Sequence, residues 1–218
     1  MLERYIQAVR TDAPGNEEPA ATRERLKSRF APGAVRRMTQ LGMLVGAALG
    51  EMDPGEEDTL VYASQFGESR ALEGYLESFP GASPTLFQTS IHPSGAQQGL
   101  IGRQRSVREF FPLAGGAQLV SCTVQAALLA ASERVLLCGG EERGTWLVAP
   151  GAASDLAFAF ALALNRTRQS GAVGRLALEP VADAAGALAL AEWFDLLHNR
   201  RAFAGAVAPG WRLTLEWL

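Results

Sequence analysis

Between Phe110 and Cys122 the chain reads FFPLAGGAQLVSC, an apolar run that breaks at two glycines and resumes as an Ala/Leu-rich segment ending at Ser132. That pattern specifies a buried strand turning sharply into a helix, with the glycines allowing the tight turn. A helix start in such a turn offers unpaired N–H groups that can stabilise an anion or lower a thiol pKa. Here the turn, Ala114, Gly115, Gly116 and Ala117, carries no thiol, hydroxyl or imidazole. Whatever nucleophile such a turn could hold is missing.

The flanking segments alternate in type. Tyr5–Val9, Thr59–Ser64 (TLVYAS), Val107–Leu113, Val135–Cys138, Asp155–Leu164 (DLAFAFALAL), Leu176–Pro180 and Trp211–Leu218 read as strands. Thr22–Phe30, Ala34–Gly50, Ser69–Phe79, Ala117–Ser132 and Ala184–Asn199 read as helices. In Ala34–Gly50, Val35, Met38, Leu41, Val45, Ala48 and Leu49 recur at spacings of three and four, predicting one buried face. Gly42 and Gly46, four apart on that helix, allow close packing of a neighbouring element. Leu72, Tyr75, Leu76 and Phe79 share one side of the next helix, and Leu188, Trp193, Leu196 and Leu197 are the buried set near the C-terminus. Ser83–Gly102 mixes Pro, Gly and small polar residues with isolated apolar anchors, which predicts a long functional loop. NRTRQSGAVGR after Leu164 is a hairpin candidate. The alternation predicts an α/β fold, a mixed, mostly parallel sheet with helices on both faces. The 218 residues fit one domain, 1–218.

Several function classes are disfavoured. A net charge of −3 gives no sign of nucleic-acid binding, and the basic stretch from Arg23 to Arg37 is interleaved with apolar residues as on a solvated helix face. No apolar run approaches the roughly 20 residues that span a bilayer, and the N-terminus lacks a signal-peptide core, so the expectation is a cytoplasmic chain with no membrane partner. Cys122 and Cys138 are expected as reduced core thiols; with only His92 and His198 beside them, neither a metal nor a cofactor is expected. Gly139-Gly140-Glu141-Glu142 lacks the Lys and Ser/Thr of a P-loop, and two carboxylates would repel phosphate. The glycines at 115 and 116 lack dinucleotide-site spacing. Ser90 and Ser94 flank His92, but there is no G-x-S-x-G elbow and no carboxylate close in sequence to orient the imidazole. His198 reads as a helix-terminal surface histidine.

Four stretches, in order, resemble the N-terminal half of the beta-ketoacyl synthases, members of the thiolase fold. RRMTQLGMLVGAAL at 36–49 is similar to their first helix, and LVYASQFGESRALEGYLESF at 60–79 to the second strand, its turn and helix. SPTLFQTSIHPSGAQQGLIGR at 83–103 resembles their S-P-x-x-F-x-x-S-V-H-N-x-x-A-G segment, and RVLLCGGEE at 134–142 their strand ending in V-G-G-x-E. The resemblance covers residues 1–165, with 166–218 as an added hairpin, helix and closing strand. It implies that the acyl-accepting cysteine of active ketosynthases is replaced here by Gly115 or Gly116. Cys122, about two turns into the helix and expected to face the core, does not replace it. The family's C-terminal half, with two active-site histidines and a lysine, has no counterpart, and His92 matches a non-catalytic histidine.

The resemblance further implies a non-catalytic, chain-length-factor-like subunit, not itself an enzyme, that forms a heterodimer with a full-length active ketosynthase in fatty-acid-like or polyketide biosynthesis, such as that of aryl polyenes. It would meet acyl carrier protein only indirectly, and a homodimer is the expected state when alone. Pairing in this fold uses the third strand and its surroundings, so the implied interface residues are Val107, Phe110, Phe111 and Leu113 with Ser90, His92, Gly95 and Ala96. A different class, a free-standing acyl-transferring or hydrolytic enzyme, would instead draw on Ser90, His92 or Cys122.

Overall fold

The computed structural model describes residues 1–218. Eight strands form one sheet in the order β3-β2-β4-β5-β1-β6-β8-β7. They are β1 (Leu2–Asp12), β2 (Thr59–Ser64), β3 (Glu109–Ala114), β4 (Arg134–Glu141), β5 (Phe158–Asn165), β6 (Gly174–Pro180), β7 (Phe203–Ala208) and β8 (Trp211–Trp217). Only β2 with β3 and β2 with β4 run parallel. The other neighbours are antiparallel, so the sheet is mixed, and the expectation of a mostly parallel one is corrected. The reason lies in the connections. Parallel neighbours need a crossover, supplied after β2 and β3 by helices, whereas the β4–β5 link holds only a 3-10 turn, Trp146–Val148, and β5 returns antiparallel. The predicted hairpin after Leu164 does not form either, because β1 inserts between β5 and β6. β7, with its small residues FAGAVA, carries too weak an alternation to announce itself, and pairs with β8 across Pro209-Gly210.

Helices cover both faces. α6 (Leu119–Leu129) and α7 (Leu190–His198) pack on one, where Val61, Val135, Leu137, Phe160, Leu162 and Trp193 are buried together. α1 (Pro19–Leu26), α2 (Gln40–Gly50) and α5 (Ser94–Gly102) cover the other, over Leu60, Tyr62, Leu136 and Cys138. The period-two pattern of β5 explains the division: Phe158, Phe160, Leu162 and Leu164 face the α6/α7 side, while Ala159, Ala161 and Ala163 let α2 approach closely. Each large side chain so buried contributes about 1.5–3 kcal/mol.

Ala34–Gly50 is not one helix. A 3-10 turn at Ala34–Arg37 ends at Met38, and α2 starts afresh behind Thr39, whose hydroxyl accepts the Gly42 N–H at 2.9 Å. Nor is one face exposed: Gln40 to Leu49 are all buried, because α2 is enclosed by sheet, α1 and α5. The Gly42/Gly46 spacing does what packing predicts. A Cβ on Gly95 would lie 3.1 Å from Gly42 Cα, and one on Gly99 3.1 Å from Gly46 Cα, so two glycine pairs bring α2 and α5 into backbone contact.

The long loop expected at Ser83–Gly102 is two helices, α4 (Pro84–Ser90) and α5, joined at Ile91–Pro93. Ser83-Pro84 supplies an N-cap and a first-turn proline, a start signal that the surrounding Gly, Pro and Ser content masks. α3 (Ser69–Glu77) buries Ser69, Ala71 and Glu73, leaving Leu72, Leu76 and the following Phe79 exposed.

Candidate functional site

The parallel strands β3, β2 and β4 end on the same side of the sheet, and the loops at their carboxyl ends form the candidate site. After β3 comes the turn Ala114–Ala117. All four residues are exposed, and Gly115 holds φ +150°, a conformation side-chain-bearing residues rarely adopt. A Cβ added at Gly115 or Gly116 would meet nothing within 4 Å, so the turn stands open and bears no reactive group. Cys122 is exposed on the outward face of α6, with Leu129 two turns further on. The reading of Cys122 as a core thiol is thus corrected: Ser121, Thr123, Val124, Ala127 and Leu128 take the inward positions. Cys138 is buried in β4, and burial pushes its thiol far up from the ordinary range, which keeps it protonated.

Buried carboxylates organise the loops after β2 and β4. Glu141 accepts from Ser64 Oγ at 3.1 Å and from the N–H groups of Gln65 and Phe66, fixing the loop after β2. Glu142 accepts from Leu41 N at 3.1 Å and Arg70 N at 3.0 Å, joining the first turns of α2 and α3. Glu68 accepts from Gly95 N at 2.7 Å and so anchors the start of α5. Glu73 accepts from Thr145 N, Thr145 Oγ1 and Leu147 N. Burial pushes Glu73 up, but those three donors outweigh it and hold its carboxyl below the ordinary range. For Glu141 and Glu142 burial wins, and both are pushed up to about 7 despite their donors.

His92 sits beside this set. Its ring stacks on that of Tyr62 with centroids 5.0 Å apart, and Nδ1 lies 3.7 Å from Glu68 Oε2. Sequence distance hid that carboxylate, 24 residues upstream. No serine joins the pair: Ser90 Oγ donates to Phe87 O at 2.8 Å, and neither His92 nitrogen has a hydrogen-bond partner. A Ser/His nucleophile is therefore not assembled. Tyr62 is fully buried with its hydroxyl unpartnered, and burial, then Glu68, raises its pKa. Gly95 and Ala96 lie inside, against α2, so within this chain they shape the core rather than the outer surface. His198 Nδ1 lies 3.0 Å from Thr11 Oγ1 at the exposed end of α7.

Of the residues assigned to pairing, β3 has the open position. It is the terminal strand of the sheet, bonded only to β2. Phe110 packs partly on the α2 side and Leu113 on the α6 side, while Phe111 is 41% exposed and Pro112 is exposed. No helix is long and apolar enough to cross a membrane.

With this arrangement of strands, the chain superposes over 99% of its length on the whole of a chain from the complex of ketosynthase ApeO with its chain length factor ApeC from Xenorhabdus doucetiae, at 18% identity and a TM-score of 0.68. It has a ketosynthase-like thiolase fold. The ishigamide ketosynthase/chain length factor matches over 83% of this chain and 68% of its own, at 11% identity and a TM-score of 0.59. A beta-ketoacyl synthase from Burkholderia phymatum STM815 matches over 84% and 65%, at 11% identity and a TM-score of 0.60. No protein-family model and no curated protein matches the chain. The ketosynthase-like fold brings the exposed turn after β3 and the unpaired β3 edge side by side.

Proposed function

We propose that the chain is a non-catalytic, chain-length-factor-like subunit that pairs through β3 with a full-length, active ketosynthase in polyketide or fatty-acid-like biosynthesis, of the aryl polyene type. The observation that carries this reading is the combination of an open, aromatic β3 edge with an adjoining turn that holds no nucleophile. An unpaired strand edge is a template for another strand, and the main-chain hydrogen bonds it offers suit stable pairing. Exposed Leu72, Leu76 and Phe87 on α3 and α4, with Phe79 and Ile91 just beyond their ends, add apolar surface of the kind that partners cover. The end-to-end match to a chain of a ketosynthase/chain length factor complex supports the same reading. Ser90, His92 and Cys122, the residues an independent enzyme would use, lie apart from one another in hydrogen-bonding terms. The absence of a thiol at the turn leaves acyl loading to the partner's cysteine.

Co-expression with a full-length ketosynthase that carries an intact cysteine tests this. The expected result is a one-to-one complex in light scattering whose acyl adduct, by intact mass, sits on the partner alone. A stoichiometric acyl adduct on Cys122 or Cys138, or failure to form a complex with any ketosynthase encoded beside it, would overturn the proposal.

A further inference from the structure

We propose that the cavity under the carboxyl end of α2 is a binding site for a small neutral molecule with a planar amide edge, such as a lactam, cyclic urea or nucleobase. The cavity measures about 250 Å³ and is lined by Gln7 and Ala8 of β1, Ala163 and Asn165 of β5, Arg134 of β4, and Met52 just past α2. Arg134 and Asn165 are cross-strand partners at the amino end of β4, so the cavity lies at the opposite end of that strand from Glu141 and the candidate functional site. The proposal therefore stands apart from the pairing reading. A break in β1 shapes the cavity. Ile6 and Val9 are both buried on the α6 side, although residues three apart on a regular strand face opposite ways. The pairing with β5 slips between Ile6 and Ala8, which makes Gln7 the extra residue of a β-bulge and turns Gln7 and Ala8 toward one side. Asn165 extends the row of Ala159, Ala161 and Ala163 on the α2 side, and the alanines leave space that α2, ending at Gly50, does not fill.

Two carboxamides meet this space without partners in the fold. Asn165 is 5% exposed with Oδ1 buried and unbonded, and Gln7 Nε2 is likewise buried and unbonded. Each such group costs free energy until it is paired. The charges on the wall are already matched: Glu51 accepts from Arg10 and Arg29, while Arg134 donates to Asp58 and to the Met52 carbonyl. What remains is one acceptor and one donor beside the methyl surfaces of Ala8 and Ala163. A C=O and an N–H on one ring edge answer both groups, the carbonyl accepting from Gln7 and the N–H donating to Asn165, with the ring against the alanines. A carboxylate brings no donor for Asn165, and a hydrocarbon brings neither group.

Uracil is the probe, with its N,N′-dimethyl derivative, which keeps the ring and both carbonyls but has no N–H, as the control. In an NMR titration of the whole chain, uracil is expected to shift the side-chain NH₂ resonances of Gln7 and Asn165 saturably, and dimethyluracil and benzoate to leave them in place. Asn165→Leu, close in volume and unable to accept a hydrogen bond, is expected to weaken uracil binding about tenfold or more, and Gln7→Met to do the same. The parent chain decides the matter even where a variant fails to fold. Shifts that never saturate, or no shift at all, mean a cavity that holds water only and would overturn the proposal. Equal shifts from uracil and dimethyluracil, or a stronger response to benzoate, would overturn it too.

Discussion

The sheet ends differently on its two sides. At the β7 edge the chain covers one end of its own border: residues 181–189 fold back so that Leu188 N donates to Val207 O at 3.2 Å, and a Cβ on Gly186 would lie 3.4 Å from that of Ala206. Its residues are small, and Val207 and Ala208 are buried. At the β3 edge nothing is folded back. No backbone hydrogen bond reaches Glu109–Ala114 except from β2, and the strand carries two adjacent phenylalanines. Pro112 removes one donor and gives only partial protection. A protein that covers part of one edge and leaves the aromatic one bare has a surface suited to a second strand, whereas an edge left bare without use is an aggregation hazard.

The largest expected effect breaks this contrast directly. Phe111→Arg should weaken complex formation with a ketosynthase partner by at least about 100-fold, as loss of a buried aromatic anchor does, while changing stability by no more than about 0.5 kcal/mol. The matching change at the β7 edge, Ala204→Arg, should leave affinity intact. Calorimetric titration of the two variants reads the difference, and equal losses would remove the distinction between the edges. Next comes the packing of α5 on α2. Gly95→Ala places a methyl 3.1 Å from Gly42 Cα and should cost about 1–3 kcal/mol in urea denaturation, whereas Ser90→Ala, which loses one local hydrogen bond, should cost about 0.5–1.5 kcal/mol.

Proton linkage ranks third. Glu141 and Glu142 have folded pKa values of about 7, raised from 4.5, so the native chain holds more protons than the unfolded one between those values. Their contribution is fully present below about pH 4.5 and is lost as pH rises through 7. Urea midpoints measured from pH 5 to 8 should fall, and in Glu141→Gln and Glu142→Gln the fall should be smaller. The smallest effect concerns the empty turn. Gly116→Cys meets no neighbour and has no positive φ, so it should fold with parental stability, while Gly115→Cys at φ +150° should cost about 1–3 kcal/mol. Neither should acquire acyl transfer. Thermal melts and acyl loading check both, and a maleimide should label native Cys122 ahead of Cys138.

Much of this was legible in the residues. β2 and β4 stand out as apolar runs, Gly42 and Gly46 signal a close neighbour without naming α5, and Trp193, Leu196 and Leu197 are buried as their helical spacing indicates, whereas the helix expected from Ala184 starts only at Leu190 and Leu188 is buried in the extended segment before it. The direction of β5 was not legible, because strand polarity depends on whether the link contains a crossover helix, and WLVAPGAASD does not declare its 3-10 turn. The outward position of Cys122 was hidden for a related reason: α6 is apolar nearly all round, so its periodicity does not choose a face. Glu68 and Glu73 carry no local signal, since their donors lie at Gly95, Thr145 and Leu147, far along the chain. Glu141 and Glu142 did carry one, as acids following an unbroken buried strand, a position where carboxylates must find backbone donors.

Hydrogen exchange on the paired protein tests the central claim most directly. Mixed with an equimolar full-length ketosynthase bearing its cysteine, the chain is expected to gain protection at Glu109–Ala114 while Phe203–Ala208 stays unchanged. A stable complex in which Glu109–Ala114 exchanges as freely as in the isolated chain would contradict the account.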